Sequence, residues 1–210
     1  MSTSVLAQHV RFILVEPAHP GNIGSAARAI KTMGFRDLRV VKPWVQTYRT
    51  DPEAIAYATS SVDVLQASQC HDSLLEALNG VQFAWAMSGY DREFGASIES
   101  VRKVARKAEN FLQQKQGEIA FVFGCERTGL SNEDVALCQG CAAIPADPES
   151  SSLNLSQAVQ IMAYELHMAL MDEQITHDGL YDWQNRFQGE KLADVVATEG
   201  FLKHFEQAMI

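Results

Sequence analysis

Four short runs in this chain are apolar along nearly their whole length rather than on alternate residues: 10–15, 38–41, 81–87 and 119–123. A strand of that kind is buried on both faces, which places it in a parallel sheet covered by helices on each side. The segments between them fit that arrangement. Asn22 is positioned to cap a helix whose apolar side is Ile23, Ala26, Ala27, Ile30 and Met33, with Gly34 as its stop. Ser25, Arg28 and Thr32 fall on another face of it. A short helix is expected over 51–58 with Pro52 at its first position, a strand over 62–65, a helix over 72–78 and another over 97–112. The last bears Arg102, Lys103, Arg106 and Lys107, either a solvated face or a track for RNA. Alternation of strand and helix across residues 10–170 predicts an α/β fold with a parallel sheet, and such sheets bind ligands at the carboxyl ends of their strands. The exits at 87–89, 124–129 and 144–153 are candidates for one pocket.

The stretch 119–170 is the most informative. Its strand discharges into Gly124-x-x-x-x-Gly129. Ser131 and Asp134 then have capping-box spacing, flanked by Leu130 and Val135 as a hydrophobic staple. A second strand, 141–144, leads into Pro145-Ala-Asp-Pro-Glu-Ser-Ser-Ser152, and Asn154 opens a helix with Gln157 in the reciprocal position. Leu155, Ala158, Val159, Met162, Leu166 and Leu170 form its apolar face. The hydroxyl-rich loop 150–156 lies between two core-forming segments. Either it only caps the helix, or its backbone groups meet a ligand.

Three ordered motifs carry a resemblance to a known family: VEPAHPGNIGSAARAIKTMG, FGCERTGLSNE and AAIPADPESSSLNLSQAVQIMAYEL. They are similar to motifs one, two and three of the SpoU (TrmH) branch of the SPOUT RNA 2′-O-methyltransferases. Within it, the similarity is greatest to enzymes acting on cytidine or uridine at nucleotide 32 of the tRNA anticodon loop. The resemblance implies a SPOUT fold with a C-terminal deep trefoil knot that cradles S-adenosyl-L-methionine, no metal, tRNA as substrate, and a homodimer across which the active site is completed. It implies catalytic roles for Arg28, Asn22, Glu126, Ser152 and Asn154. Arg28 would bind an RNA phosphate and activate the ribose hydroxyl, as literal base or as positioning group. Glu126 would hold Arg28 or the loop. Cofactor contacts are implied at Met87, Ser88, Gly89, Gly124, Ile144, Ser151, Ser152 and Leu153. A 2′-O-methyltransferase for wobble position 34 or for ribosomal RNA, and a non-catalytic RNA-binding protein, are the alternatives.

Composition limits what else fits. Gly21-x-x-Gly24 lacks the spacing of a dinucleotide-binding turn. Cys70, Cys125, Cys138 and Cys141 make neither a disulfide framework nor a paired zinc motif, and Cys138-x-x-Cys141 alone is a weak metal or redox signal. No run of eighteen apolar residues predicts a membrane span, and the first residues lack the pattern of a secretion signal, so a cytoplasmic protein is expected. Net charge is −9, so any RNA-binding charge must be local. Residues 1–50 carry seven Lys/Arg against two acids, whereas from Asp172 onward eight acids face three bases. Two readings fit: ordinary surface variation, or a basic RNA face and an acidic tail. The expected organisation is a catalytic domain over 1–171, a linker over 172–197 and the start of a helical extension over 198–210.

Overall fold

A computed structural model of the protein describes residues 3–88, 97–149, 151–171 and 195–209. In chain order the elements are α1 (Thr3–Leu6), β1 (Val10–Val15), α2 (Pro20–Thr32), β2 (Asp37–Val41), α3 (Pro52–Ala58), α4 (Val62–Ala67), β3 (Gln69–His71) and α5 (Leu74–Ala77). They continue with β4 (Val81–Met87), β5 (Ile98–Ser100), α6 (Val101–Gln113), β6 (Glu118–Phe123), α7 (Asn132–Ala136), β7 (Gly140–Ala143), α8 (Leu155–Leu170) and α9 (Val195–Ala208). The chain divides into two units, Met1–Met171 and Asp172–Ile210. Most of the segment expected as a linker, 172–194, lies outside the described residues.

Among the described residues the strands form a seven-stranded sheet of order β3-β2-β1-β6-β4-β7-β5, every pairing parallel. Both faces are covered, which is why the central strands read as unbroken apolar runs. Val10, Phe12 and Leu14 point into a core shared with α2, α3, α4, α6 and α8. Ile13 and Val15 point the other way, into a second core closed by Leu74 and Ala77 of α5 and Val135 of α7. Phe12 lies against Phe35, Phe121 and Phe123, with ring centroids 5.3–6.3 Å apart. Full burial of one such ring contributes about 1.5–3 kcal/mol. No helix among the described residues is long and apolar enough to cross a membrane.

Several local expectations change. The helix after β1 starts at Pro20, not Asn22: His19 is its N-cap, and proline at the first position gives up no hydrogen bond. Asn22 is thereby freed for tertiary contacts. The helix ends as expected, with Gly34 at φ +86° and the amides of Gly34 and Phe35 bonded to the carbonyls of Lys31 and Ile30, a Schellman stop. Residues 62–65 are helical rather than extended, forming the start of α4 with Val64 and Leu65 buried and Asp63 exposed. The expected helix 97–112 begins with an edge strand, β5, and Ser100 caps α6 by accepting from the Lys103 amide.

The basic N-terminal half is largely spent on the fold. Arg11 is buried at the amino end of the sheet, donating to the carbonyls of Ala77 and Asn79 and pairing with Glu118 and Asp37. Arg39 pairs with Asp37, Lys31 and Arg36 with Asp63, and Arg49 donates to the Ser68 carbonyl. On α6, Arg102 pairs with Glu165, and Lys103 and Lys107 with Glu99.

Candidate active site

The carboxyl ends of β4, β6 and β7 enclose a cleft of about 240 Å³. Its walls follow from local sequence. Leaving β6, the chain passes Gly124 and closes a tight loop through a bridge between Cys125 and Gly129, with the Gly129 amide 2.8 Å from the Cys125 carbonyl. A Cβ on Gly124 would sit 2.1 Å from the Gly129 carbonyl carbon and 2.2 Å from the Leu130 nitrogen, so only glycine permits this closure. The loop is then anchored by the predicted capping box: the Asp134 amide donates to Ser131 Oγ at 3.0 Å and the Ser131 amide to Asp134 Oδ2 at 3.1 Å. Leu130 and Val135 are buried in the second core beside it. Opposite, Asn154 caps α8, its Oδ1 accepting from the Ser156 and Gln157 amides. The Ser88 amide donates to the Ala142 carbonyl, tying the β4 exit to β7.

A hydrogen-bonded chain borders this cleft. Glu126 accepts from the Ala18 amide at 2.9 Å, the His19 amide at 3.3 Å and Asn22 Nδ2 at 2.7 Å. Asn22 Oδ1 in turn accepts from Asn154 Nδ2 at 2.9 Å. Three segments far apart in sequence are thus locked together where the β1 exit meets the cleft.

The SpoU rRNA Methylase family model matches residues 9–164, a span that contains the cleft and this polar chain. The chain belongs to the SpoU methylase family. It is 39% identical over 207 residues to the tRNA (cytidine/uridine-2′-O-)-methyltransferase TrmJ of an Escherichia coli strain, covering 94% of this chain and 82% of that protein. A crystal structure of a probable methyltransferase from Bordetella pertussis superposes with a TM-score of 0.76 at 44% identity, over 80% of this chain and 99% of the other. The SpoU methyltransferase AviRb of Streptomyces viridochromogenes, solved in complex with AdoMet, shares the fold at 22% identity and a TM-score of 0.61, over 80% and 62% of the two chains.

In this SpoU-family chain Met87, Ser88, Gly124, Ile144, Ser151, Ser152 and Leu153 all line the one cleft. Gly89 lies outside the described residues. Of the residues given catalytic roles, Glu126 and Ser152 line the cleft, and Asn22 and Asn154 join through Glu126. Ser152 is exposed and takes no part in the polar chain. Arg28 stands apart. It is exposed, its guanidinium has no partner among the described residues, and it does not line the cleft. Six residues separate it from Asn22, which on a 3.6-residue helix puts the two side chains roughly 120° apart and about 9 Å along the axis. It continues the stripe of Gly21 and Gly24, which faces α3: a Cβ at Gly24 would meet the Ala54 carbonyl at 2.0 Å. Glu126 therefore holds the loop, not Arg28, of its own chain.

Phe123, Leu130, Ala142, Ala143, Leu155 and Ala158 also line the cleft outside the exits expected from sequence, and Arg127, inside the 124–129 exit, was given no role. Arg127 was within reach, since it is the one cation inside the Gly124–Gly129 loop. The electrostatics are local. Burial pushes the Glu126 carboxyl up, but the bonds from Ala18, Asn22, its own amide and His19 outweigh it and hold the pKa below the ordinary glutamate value. Burial pushes the Cys138 thiol up to about 12, with Cys141 and Asp134 adding to the rise, so it stays protonated at neutral pH. No group of three or more metal-ligating side chains occurs among the described residues.

Gly124→Ala should lose the cleft. The new methyl overlaps backbone rather than a movable side chain, so the loop must open. We expect destabilisation of about 1–3 kcal/mol and loss of measurable S-adenosylmethionine binding by calorimetry. A variant that binds with wild-type affinity would show that the loop closes another way.

Proposed function

We propose that this chain is an S-adenosyl-L-methionine-dependent tRNA ribose 2′-O-methyltransferase acting on cytidine or uridine at nucleotide 32 of the anticodon loop. The observation that carries this reading is the polar chain Glu126–Asn22–Asn154 at the mouth of the cleft. Three motif residues meet there beside a cleft lined by Met87, Ser88, Gly124, Ile144 and residues 151–153, which supports the reading. Kinship with TrmJ supplies the substrate class.

The cleft suits the methyl donor. Met87, Ile144, Leu153 and Leu155 offer apolar surface to a flat base, and the Gly124 loop and the segment 151–153 bring backbone close enough to read its polar edges. When bound, S-adenosylmethionine supplies an electrophilic methyl group. The protein must align and activate the ribose hydroxyl. Orientation alone contributes up to about 7–11 kcal/mol. A guanidinium with a reference pKa above about 12 is a poor base, so Arg28 binds phosphate bidentately and positions the hydroxyl. Asn22 and Asn154 fix the edge against which the ribose rests, and Glu126 keeps Asn22 and the β1 exit in place.

The position of Arg28 supports a two-fold homodimer. An unpaired guanidinium turned away from its own cleft is available to the cleft of a second copy. In the same reading, the segment from β6 to α8 threads the trefoil knot, the residues between α8 and α9 act as linker, α9, which starts at Val195 inside the expected linker, belongs to a helical extension, and the enzyme works in the cytoplasm.

The decisive experiment incubates the protein with bulk tRNA and isotopically labelled S-adenosylmethionine and maps the modified nucleotide by mass spectrometry. A 2′-O-methyl group at nucleotide 32 is expected; one at nucleotide 34 or in ribosomal RNA would replace the proposed target. Salt dependence gives a second check. Among the described residues, five of the seven cations in 1–50 are engaged, leaving Arg28 and Lys42 there and Arg127 in the cleft loop. Three phosphate contacts give a slope of log K against log salt of about −2 to −3, or roughly 20- to 40-fold weaker binding from 50 to 200 mM salt. A flat response would exclude a phosphate-dominated complex.

A further inference from the structure

We infer that Trp44 is a stacking platform for an unpaired base of the RNA next to the nucleotide being modified. The inference rests on the proposed function and extends it to a residue outside the three motifs.

Trp44 is 57% exposed, and its indole has no ring contact or hydrogen bond among the described residues. The other described tryptophan, Trp85, is 4% exposed and packs on Phe83 and Phe121. Tyr57 at 54% and Leu75 at 67% are comparably exposed, so exposure alone does not single Trp44 out; its setting does. Its backbone is held firmly: the Trp44 amide donates to the Pro17 carbonyl at 3.1 Å, and flanking Pro43 is buried. That bond joins the β2 exit to the β1 exit, whose next two amides, of Ala18 and His19, are held by Glu126. The ring is therefore carried on the same framework that sets Asn22. The order β2-β1-β6-β4-β7 lays the cleft, the polar chain and Trp44 in succession along one sheet edge. Neighbouring strands are about 4.8 Å apart, so the β2 exit lies roughly 10 Å from the β6 exit, the reach of a nucleotide adjacent to the target.

The charge beside it has the sign that RNA requires. Lys42 ends β2 in the left-handed region at φ +44°, its amide bonded to the His71 carbonyl, and its ammonium is exposed and unpaired among the described residues. β1 ends the same way, with Glu16 at φ +51° and its amide on the Val41 carbonyl. An aromatic face next to a free cation is the pairing that single-stranded nucleic acid uses: the ring takes a base and the ammonium the adjoining phosphate.

The test compares wild type, Trp44→Ala, Trp44→Phe and Lys42→Ala in binding and methylating a tRNA transcript, with cofactor affinity, thermal unfolding and sedimentation as controls. Trp44→Ala should bind tRNA about tenfold more weakly, as loss of one base stack does, at every salt concentration and with an unchanged salt slope, because no charge is removed. Lys42→Ala should lower the slope by about one. Trp44→Phe should retain most of the affinity, while the tryptophan quenching that accompanies RNA binding in wild type is lost. Cofactor affinity and thermal midpoint should not move. Wild-type tRNA affinity in Trp44→Ala would refute the platform while leaving the proposed function intact. So would a shift of that variant to a smaller assembly, which would assign Trp44 to a contact between copies. A wild-type protein that neither binds nor methylates tRNA would remove the proposed function, and the platform with it.

Discussion

Arg28→Ala is expected to abolish methyl transfer while leaving the protein folded and its cleft able to bind the cofactor. The expected fall in kcat is at least about 10²–10³, the range for losing one positioned donor in an active site, measured with labelled S-adenosylmethionine and tRNA. Stability should change by less than about 0.5 kcal/mol, because Arg28 is exposed and its side chain engages nothing among the described residues. Cofactor affinity should also hold, since Arg28 is no part of the cleft wall. Loss of cofactor binding instead would show that the guanidinium supports the cleft rather than the ribose. The same variant asks where Arg28 acts. Mixing Arg28→Ala with Asn154→Ala, each inactive alone, should restore about a quarter of wild-type activity if Arg28 serves a partner's cleft, because half the dimers are mixed and each contains one intact site. No recovery would place Arg28 and the cleft it serves in one chain.

That separation could not be read from the sequence, although much of the site could. Met87, Gly124, Ile144 and Leu153 were legible because a strand buried on both faces announces its own end, and an α/β sheet puts ligands at that end. Ser131 and Asn154 were legible as caps because capping depends on residues three apart. The link from Glu126 to Asn22 spans 104 residues and that from Asn154 to Asn22 spans 132, and no local pattern encodes either. The cap assigned to Asn22 was a reasonable local reading that tertiary contact overrode: Pro20 starts the helix, and the Asn22 amide group finds Glu126 and Asn154. The fold shows the same division. Interior strands β1, β4 and β6 were plain, whereas β3, of sequence Gln-Cys-His, and β5, of sequence Ile-Glu-Ser, are short, partly exposed edge strands with no apolar run to mark them. Net charge over residues 1–50 misled in a further way. It could not tell cations in ion pairs, such as Arg11 and Lys31, from Arg28 and Lys42, which have no side-chain partner among the described residues.

Glu126→Gln tests whether the polar chain is held by charge or only by shape. The wild-type carboxylate presents two acceptor oxygens to three donors: Oε2 to the Ala18 amide, Oε1 to the His19 amide and Asn22. A glutamine of the same size has one oxygen and one NH₂, so whichever way it turns, a donor meets a donor. The loss at pH 7 should be about 1 kcal/mol, the low end for an orphaned hydrogen-bonding group because the site is only half-buried. The larger effect falls on activity, since Asn22 loses the partner that orients it and Asn154 loses its fixed neighbour. A kcat reduction of about tenfold to a hundredfold is expected, with cofactor affinity nearly unchanged. The pH dependence identifies the cause. Burial opposes ionisation of Glu126, yet the bonds from Ala18, Asn22, its own amide and His19 hold its folded pKa below the ordinary value of 4.5. A carboxyl shifted in that direction contributes its full stabilisation above the unfolded value and loses it as pH falls through the lower folded value. Wild type and Glu126→Gln should therefore differ most at neutral pH and converge below about 4.5, as protonation removes from the wild type what the substitution removed already. Denaturant unfolding at a series of pH values reads this directly. Parallel stability curves for the two proteins would mean that the loop is held by packing and that the charge on Glu126 is incidental.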